Sequence, residues 1–438
     1  MTDYRRLRVA LLGAGAVGSQ VASLLLRHGD ELADRAGARL ELAGIAVRDV
    51  DAPRDVDLPR ELFTTDAETL ITGADIVIEL MGGIEPARSH ILLGLGSGAD
   101  VVTANKALLA TRGPEIFDAA SRVGASVYYE AAAAGAIPII RPLRDSLAGD
   151  RVVRIMGIVN GTTNYILDRM DGEGADFADV LADAQRLGYA EADPTADVEG
   201  YDAAQKAAIL ASLAFHTAVP LEAVHREGIT TITADMIEEA REAGFVIKLL
   251  AVCERLGNGG DESISVRVYP ALVPRDHPLG AVHGANNAVF VEAEAAGSLM
   301  FYGAGAGGVQ TASAVLGDVV SAARRHIAGG TGVGESTRAN LPVVSIGHVL
   351  TRYQITLEVA DEAGVLATIA GLLSDGDVSV ATLVQTVIPA EDGADGETAR
   401  LIIGTHRATD DALSAAVDRL AASDVVERVV SVLRVEGE

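Results

Sequence analysis

A three-part α/β chain is predicted by three observations. Short apolar strands alternate with amphipathic helices through the first 150 residues. A strand-helix-strand-strand-helix-strand order runs from residue 352 to 438. Between them lies a middle segment of mixed strands and helices, 151–325, whose last helix is expected to return to the first domain. A glycine-rich linker, 326–351, separates the middle from the tail.

A chain of 438 residues is long enough for two or three domains, each with its own core. With 49% apolar and 22% charged residues, the composition is that of a globular protein. The net charge of −27 argues against a nucleic-acid or anionic-membrane surface, and the absence of tryptophan argues against base-stacking platforms. The single cysteine, Cys253, allows no intrachain disulfide or cysteine metal site and suits a reducing cytoplasm. It sits in VIKLLAVCERL, read as a helical apolar stretch with a core thiol. No apolar run reaches membrane-spanning length, and LRVALLGAG enters a strand with no preceding signal peptide. The nine histidines lack ligand spacing, which disfavours a metallohydrolase; His216 and His225 read as structural or exposed.

The first element, LRVALLGAGAVGSQVASLLLRHG, reads as a buried strand, a glycine turn and a helix. Gly13, Gly15 and Gly18 stand in G-x-G-x-x-G spacing. Gly13 permits the tight turn, Gly15 lets backbone approach a pyrophosphate, and Gly18 lets the helix pack close to the strand. The helix N-terminus, with Ala16 and Val17, faces the anion. This predicts a Rossmann-type dinucleotide-binding domain over 1–150. The next strand, LELAGIAVRD, ends in Arg48 and Asp49. An acid there would hold a ribose 2′-hydroxyl and an arginine a 2′-phosphate, so the cue is divided. Arg48 comes first and favours NADP, with NAD as the alternative. ADIVIEL is a further strand, followed by Gly82 and Gly83. VVTANKALLA then places Thr103, Asn105 and Lys106 at a strand end, where ligands of open α/β sheets gather.

RIMGIVNGTTNYILDRM reads as strand, polar turn and helix. GYAEADPTADVEGYDAAQK places five carboxylates of residues 191–202 before one lysine, which opens into the apolar helix AAILASLAF. Gly188 and Tyr189 end one helix, Pro194 breaks an irregular acidic loop, and Tyr201 and Asp202 start the next helix. Asp202 and Lys206 are four apart and share a face with Ile209 and Leu210. Nearby carboxylates would keep such a lysine charged in a pocket.

GAGAVG, VVTANKALL, GIVNGTTNYIL, GYAEADPTADVEGYDAAQK, REGIT and YGAGAGG, in this order, make the chain similar to homoserine dehydrogenases over nearly its whole length. With no kinase-like segment ahead, it resembles the monofunctional form. The resemblance implies interconversion of L-aspartate 4-semialdehyde and L-homoserine, in threonine, methionine and isoleucine biosynthesis. The family's lysines match Lys206, as general acid, and Lys106, which orients substrate and stabilises the developing alkoxide. Its acidic substrate contacts match Glu191 and Asp202, with Asp197 as a further acid on the substrate side. Gly188 and Gly305 match positions near the nicotinamide, although Ala304 stands where the family commonly has proline. YEAAAAGAIP matches a loop binding a monovalent cation such as sodium through one acid and alternate carbonyls, by position Glu130, Ala133, Gly135 and Ile137. A homodimer or homotetramer is implied.

In the tail, YQITLEVADEAGVLATIAGLL gives a strand, a turn and a helix. VSVATLVQTVI and ARLIIGTHR are strands joined by the turn AEDGADGE, and DALSAAVDRLAAS and ERVVSVLRVEG complete a ferredoxin-like unit. DEAGVL resembles the first turn of an ACT regulatory domain, with Ala363 where proline is usual. That implies feedback inhibition by L-threonine with Asp361 and Gly364 near the effector, or an assembly module without a ligand. Two other functions fit the same architecture. One is a dehydrogenase of another amino-acid aldehyde or hydroxy amino acid; the other is a non-catalytic NAD(P)H-sensing regulator, which would need neither lysine.

Overall fold

The computed structural model describes residues 4–257, 259–330, 334–388 and 398–437. The turn expected at AEDGADGE, residues 390–397, lies outside them. Two compact units emerge, neither continuous in sequence. The first comprises Met1–Gly161, Asp202–Val224 and Ala285–Leu341; the second comprises Thr162–Tyr201, His225–Gly284 and Pro342–Glu438. These units do not follow the linear boundaries at 150 and 325 that the sequence suggests.

In the first unit six strands form one parallel sheet: β1 (Arg6–Leu12), β2 (Arg39–Ala46), β3 (Phe63–Thr64), β4 (Ile76–Glu79), β5 (Asp100–Thr103) and β6 (Val127–Tyr128). Their order is β3-β2-β1-β4-β5-β6, every pair parallel. The strand order reverses between β1 and β4, and that reversal opens a crevice at the carboxyl ends of the strands. Strands buried on both faces read as continuous apolar runs, and β4 (IVIE) is fully buried. The core unites Val9, Leu11, Ile76 and Ile78 with Val21 and Leu25 of the helix Ala16–Arg27. Ala312, Val315 and Val319 of the helix Gly308–Ala328 join the same core from almost 200 residues beyond the last strand of the sheet. The strands Val152–Ile158, Asn286–Ala293 and Gly297–Ala304 pair antiparallel in this unit.

In the second unit Phe245–Leu256 pairs antiparallel with Ser263–Pro274 along its whole length. Cys253 is therefore on a strand and not on a helix. An unbroken buried apolar run carries no periodicity that separates strand from helix, so the sequence pattern misleads here. The thiol is nonetheless buried, which pushes it up to about 12. The tail has the expected order: strand Leu350–Ala360, helix Val365–Ser374, strands Val380–Ile388 and Thr398–Thr405, helix Asp410–Ala421, strand Val426–Val435. Sheet neighbours run Val426–Val435, Leu350–Ala360, Thr398–Thr405, Val380–Ile388, all antiparallel. Ile355, Leu357, Leu401 and Ile403 face Ile369, Leu373, Leu413 and Leu420 of the two helices in one core.

The expected linker is anchored. The preceding helix continues to Ala328, and Glu335 forms a largely buried ion pair with Arg144. Leu341 donates its N–H to Thr217 Oγ1, and Pro342 accepts from the Ile264 N–H. No helix among the described residues is long and apolar enough to cross a membrane, and no His, Cys, Asp and Glu cluster among them is arranged to hold a metal.

Candidate active site

The turn after β1 meets the demands of a phosphate cradle. Gly13 has φ +99, and a Cβ there would lie 2.7 Å from the Leu80 carbonyl oxygen at the end of β4. A Cβ on Gly18 would overlap the Gly13 carbonyl, whereas Gly15 has open space on that side. The helix that starts at Ala16 has no side-chain cap and no acid in its first turn. Its N-terminal amides are thus left for an anion, and a dinucleotide pyrophosphate fits the cradle. At the end of β2, Asp49 folds onto its own turn by accepting from the Asp51 N–H at 2.9 Å. Arg48 is exposed, with no ion pair or hydrogen bond among the described residues.

A buried carboxylate that the sequence reading overlooked organises the next two strand ends. Glu79, fully buried at the end of β4, accepts from Thr103 Oγ1 at 2.7 Å and from the Met81 N–H at 2.8 Å. Thr103 Oγ1 in turn accepts from the Asn105 N–H at 3.0 Å. Asn105 caps the helix Lys106–Val123 by accepting from the Leu108 N–H at 3.1 Å, and donates to the Gly83 carbonyl at 2.7 Å. The chain Glu79–Thr103–Asn105 therefore fixes both the glycine loop after β4 and the helix that opens with Lys106. Its visible trace in the sequence is one acid ending an otherwise apolar strand, ADIVIEL.

The two lysines meet on one carboxylate within the first unit. Asp202 Oδ1 lies 2.5 Å from Lys106 Nζ, and Oδ2 lies 2.7 Å from Lys206 Nζ. Asn160, in the polar turn after the strand Val152–Ile158, donates to Asp202 Oδ2 at 3.0 Å. Lys206 also donates to the Val159 carbonyl at 2.6 Å. Burial alone would raise the Asp202 carboxyl, but Lys206 and Lys106 outweigh it and hold Asp202 well below the usual carboxylate range. Lys206 and Asp202 are buried; Lys106 has 43% of its side chain exposed. An ammonium has three donors, and Lys206 uses two of them on Val159 and Asp202. The third is available to an incoming oxygen. Asn160 was not singled out in the sequence, although NGTTN marked the turn that carries it.

The loop expected to hold a cation begins with a carboxylate already committed. Glu130 accepts from the N–H groups of Ile139 at 2.5 Å, Ile140 at 2.7 Å and Arg141 at 3.1 Å, and from Arg141 Nε at 2.8 Å. Both oxygens of its carboxylate are thus engaged, two donors on each. Gly135 has φ +62, and a Cβ there would overlap the Gly305 carbonyl. Asp318, buried on the helix Gly308–Ala328, accepts from the Glu130 N–H at 2.8 Å. Burial pushes its carboxyl up to about 7, against the pull of that N–H.

In the second unit, Gly188 ends the helix Phe177–Leu187 in a left-handed conformation, φ 80. Pro194 starts a single helical turn, Thr195–Val198, where only an irregular loop was expected. Glu191 is exposed and its carbonyl accepts from Gln185 Nε2 at 3.1 Å; Asp197 is half-buried in the short helix. Asp361 and Gly364 line a hollow of about 310 Å³ with Gln385 and Leu401. Gln385 Nε2 donates to Asp361 at 3.2 Å, and Gly364, φ 101, precedes the helix Val365–Ser374.

Residues 13–130 match the family model described as the homoserine dehydrogenase NAD-binding domain, and residues 138–320 match that of homoserine dehydrogenase. A homoserine dehydrogenase of Corynebacterium glutamicum is 55% identical over 433 residues, 98% of this chain and 96% of the relative. The crystal structure of one from Thiobacillus denitrificans superposes with a TM-score of 0.89 at 39% identity, covering 99% of this chain and 98% of that one. A hyperthermophilic archaeal homoserine dehydrogenase solved in complex with NADPH gives a TM-score of 0.61 at 26% identity, over 74% of this chain and 99% of its own. With relatives this close along its full length, and with a dinucleotide cradle and paired lysines in one unit, the chain belongs to the homoserine dehydrogenase family of oxidoreductases.

Proposed function

We propose that the chain interconverts L-aspartate 4-semialdehyde and L-homoserine with Lys206 as the general acid and base. The observation that carries this reading is the Lys106–Asp202–Lys206 arrangement. When bound, the reduced nicotinamide supplies the hydride to the aldehyde carbon. Lys206 holds the proton for the carbonyl oxygen on its one uncommitted N–H, aimed by Val159 and Asp202. Lys106, more exposed, orients the substrate and stabilises negative charge as it develops on that oxygen. In the oxidising direction Lys206 takes the hydroxyl proton back. Asp202 serves as counter-ion to both lysines, because Lys106, Lys206 and Asn160 already engage its two oxygens. The family resemblance gives the substrate ammonium to Glu191 and Asp202, with Asp197 as a further acid on the substrate side.

NADP is the proposed coenzyme. The free guanidinium of Arg48 suits a 2′-phosphate, whereas Asp49 is turned into its own loop. Ala16, Val17, Thr103, Gly188 and Gly305 complete its cradle in this reading, and a sodium ion bound through backbone carbonyls beside Glu130 belongs to the same proposal. The tail is proposed to be an ACT domain with L-threonine in the hollow between Asp361 and Gln385. We further propose work in the cytoplasm as a homodimer or homotetramer. Nicotinamide absorbance with homoserine, run with NADP and NAD and with added threonine, tests substrate, coenzyme and regulation together. Equal or faster turnover of another hydroxy amino acid would overturn the substrate assignment. Threonine inhibition unchanged in Asp361→Ala would remove the effector assignment.

A further inference from the structure

Asn287 lies near the start of the strand Asn286–Ala293 in the first unit and is fully buried. Among the described residues neither its Nδ2 nor its Oδ1 has a hydrogen-bond partner. A buried amide left in this state is destabilising, and folded interiors keep few of them.

Glycine backbone walls it in. A Cβ on Gly305 would overlap the whole Asn287 amide, and a Cβ on Gly161 would lie 3.6 Å from Asn287 Oδ1. Behind Gly305 stands Gly135, whose own Cβ would overlap the Gly305 carbonyl. Only glycine fits at these approaches, so backbone of the Gly305 and Gly161 segments comes close to the amide. Gly161 directly follows Asn160, which holds Asp202, and Val159, whose carbonyl takes Lys206. The unpaired amide is thus one peptide away from the residues that fix both lysines. An asparagine amide both donates and accepts, so it can take a carbonyl from one segment and an N–H from another.

We propose that Asn287 is a positioning residue whose amide pairs only in the ligand-bound enzyme, with backbone of the Gly305 and Gly161 segments as they settle around dinucleotide and substrate. An amide unpaired in the free protein and paired in the complex would favour the bound arrangement. The inference rests on the family's dinucleotide-dependent reaction, but not on which lysine moves the proton.

The test uses thermal unfolding of the full chain, free and with NADPH plus L-homoserine, a pair that cannot react because both are reduced. Asn287→Leu removes the unpaired atoms while filling space; Asn287→Ala removes them without overpacking. At least one variant is expected to match or exceed the free wild-type Tm, by about 2 °C. Both should lose more than half of the ligand-induced rise in Tm, and kcat/KM should fall about tenfold to a hundredfold. A structural asparagine would give the opposite pattern. If both variants keep the wild-type ligand-induced rise, or both lower the free Tm by more than about 5 °C, the assignment to Asn287 fails. If the wild type itself gains nothing from the ligands, the dinucleotide reading fails with it.

Discussion

Lys206 reaches Asp202 one helical turn away at 2.7 Å, with both side chains nearly closed to solvent. On an exposed helix such a pair contributes a few tenths of a kcal/mol. Here removal of either partner strands a charge where water does not reach, which makes the pair a constraint on the reaction centre and not a surface ornament.

Asp202→Asn should therefore lower stability by about 3 kcal/mol near neutrality, read by denaturant unfolding. The sign of its pH dependence follows from Asp202 being held below its unfolded value of about 3.9. The stabilisation is complete above that value and is lost as pH falls through the depressed folded value. The gap between variant and wild type should thus be widest above about pH 5 and close in strong acid.

Lys206→Ala is expected to lose about 10²–10⁴-fold in kcat with dinucleotide affinity within about twofold of wild type. Lys206→Arg should not restore turnover, because a guanidinium does not give up its proton. Near-normal kcat in Lys206→Ala would dismiss this residue as the acid.

Thr103→Val breaks the relay between Glu79 and Asn105 without touching a lysine. It should lower kcat about tenfold, the worth of one buried hydrogen bond to a charged group, through a misplaced Lys106. A double-mutant cycle with Lys106→Ala should show strong coupling; simple additivity would disconnect the relay from Lys106.

Asp318 titrates at about 7 in the folded chain and about 3.9 unfolded, so the folded state holds its proton more tightly. Stability contributed by this group falls as pH rises between these values and is constant outside them. Asp318→Asn should remove that slope, gaining on wild type from about pH 4 to about pH 8, with a ceiling of about 4 kcal/mol. Parallel pH–stability curves for the two proteins would contradict it.

Arg48→Ala should weaken NADP about tenfold or more and leave NAD nearly unchanged, measured as the ratio of kcat/KM values. A uniform loss with both coenzymes would move Arg48 away from the 2′-phosphate.

Much of the nucleotide half was readable because its demands are local. Gly13 and Gly18 answer steric needs that recur at one spacing, Gly15 leaves open space between them, and Lys106 follows a strand end. The pairing of Asp202 with Lys206 was equally visible, as four residues on a helix. What escaped was non-local. Glu79 and Thr103 are 24 residues apart and form one unit only because β4 and β5 are neighbours. Asn160 read only as part of a polar turn, and nothing local marked Asn287, whose surroundings come from the distant Gly161 and Gly305 segments. Cys253 was misassigned to a helix because a strand buried on both faces has no period to read.

One consequence concerns chimeras built by exchanging the tail. Arg267, fully buried on the strand Ser263–Pro274, donates to Tyr269 and pairs with Glu254 and with Glu436, two residues from the C-terminus. Tyr269 also donates to Glu436. A graft spliced anywhere after residue 350 must therefore bring its own carboxylate to that spot, or the recipient keeps a guanidinium with too little counter-charge in a dry interior. Exchanging this tail between relatives is thus a question of Glu436 as much as of the strands and helices before it.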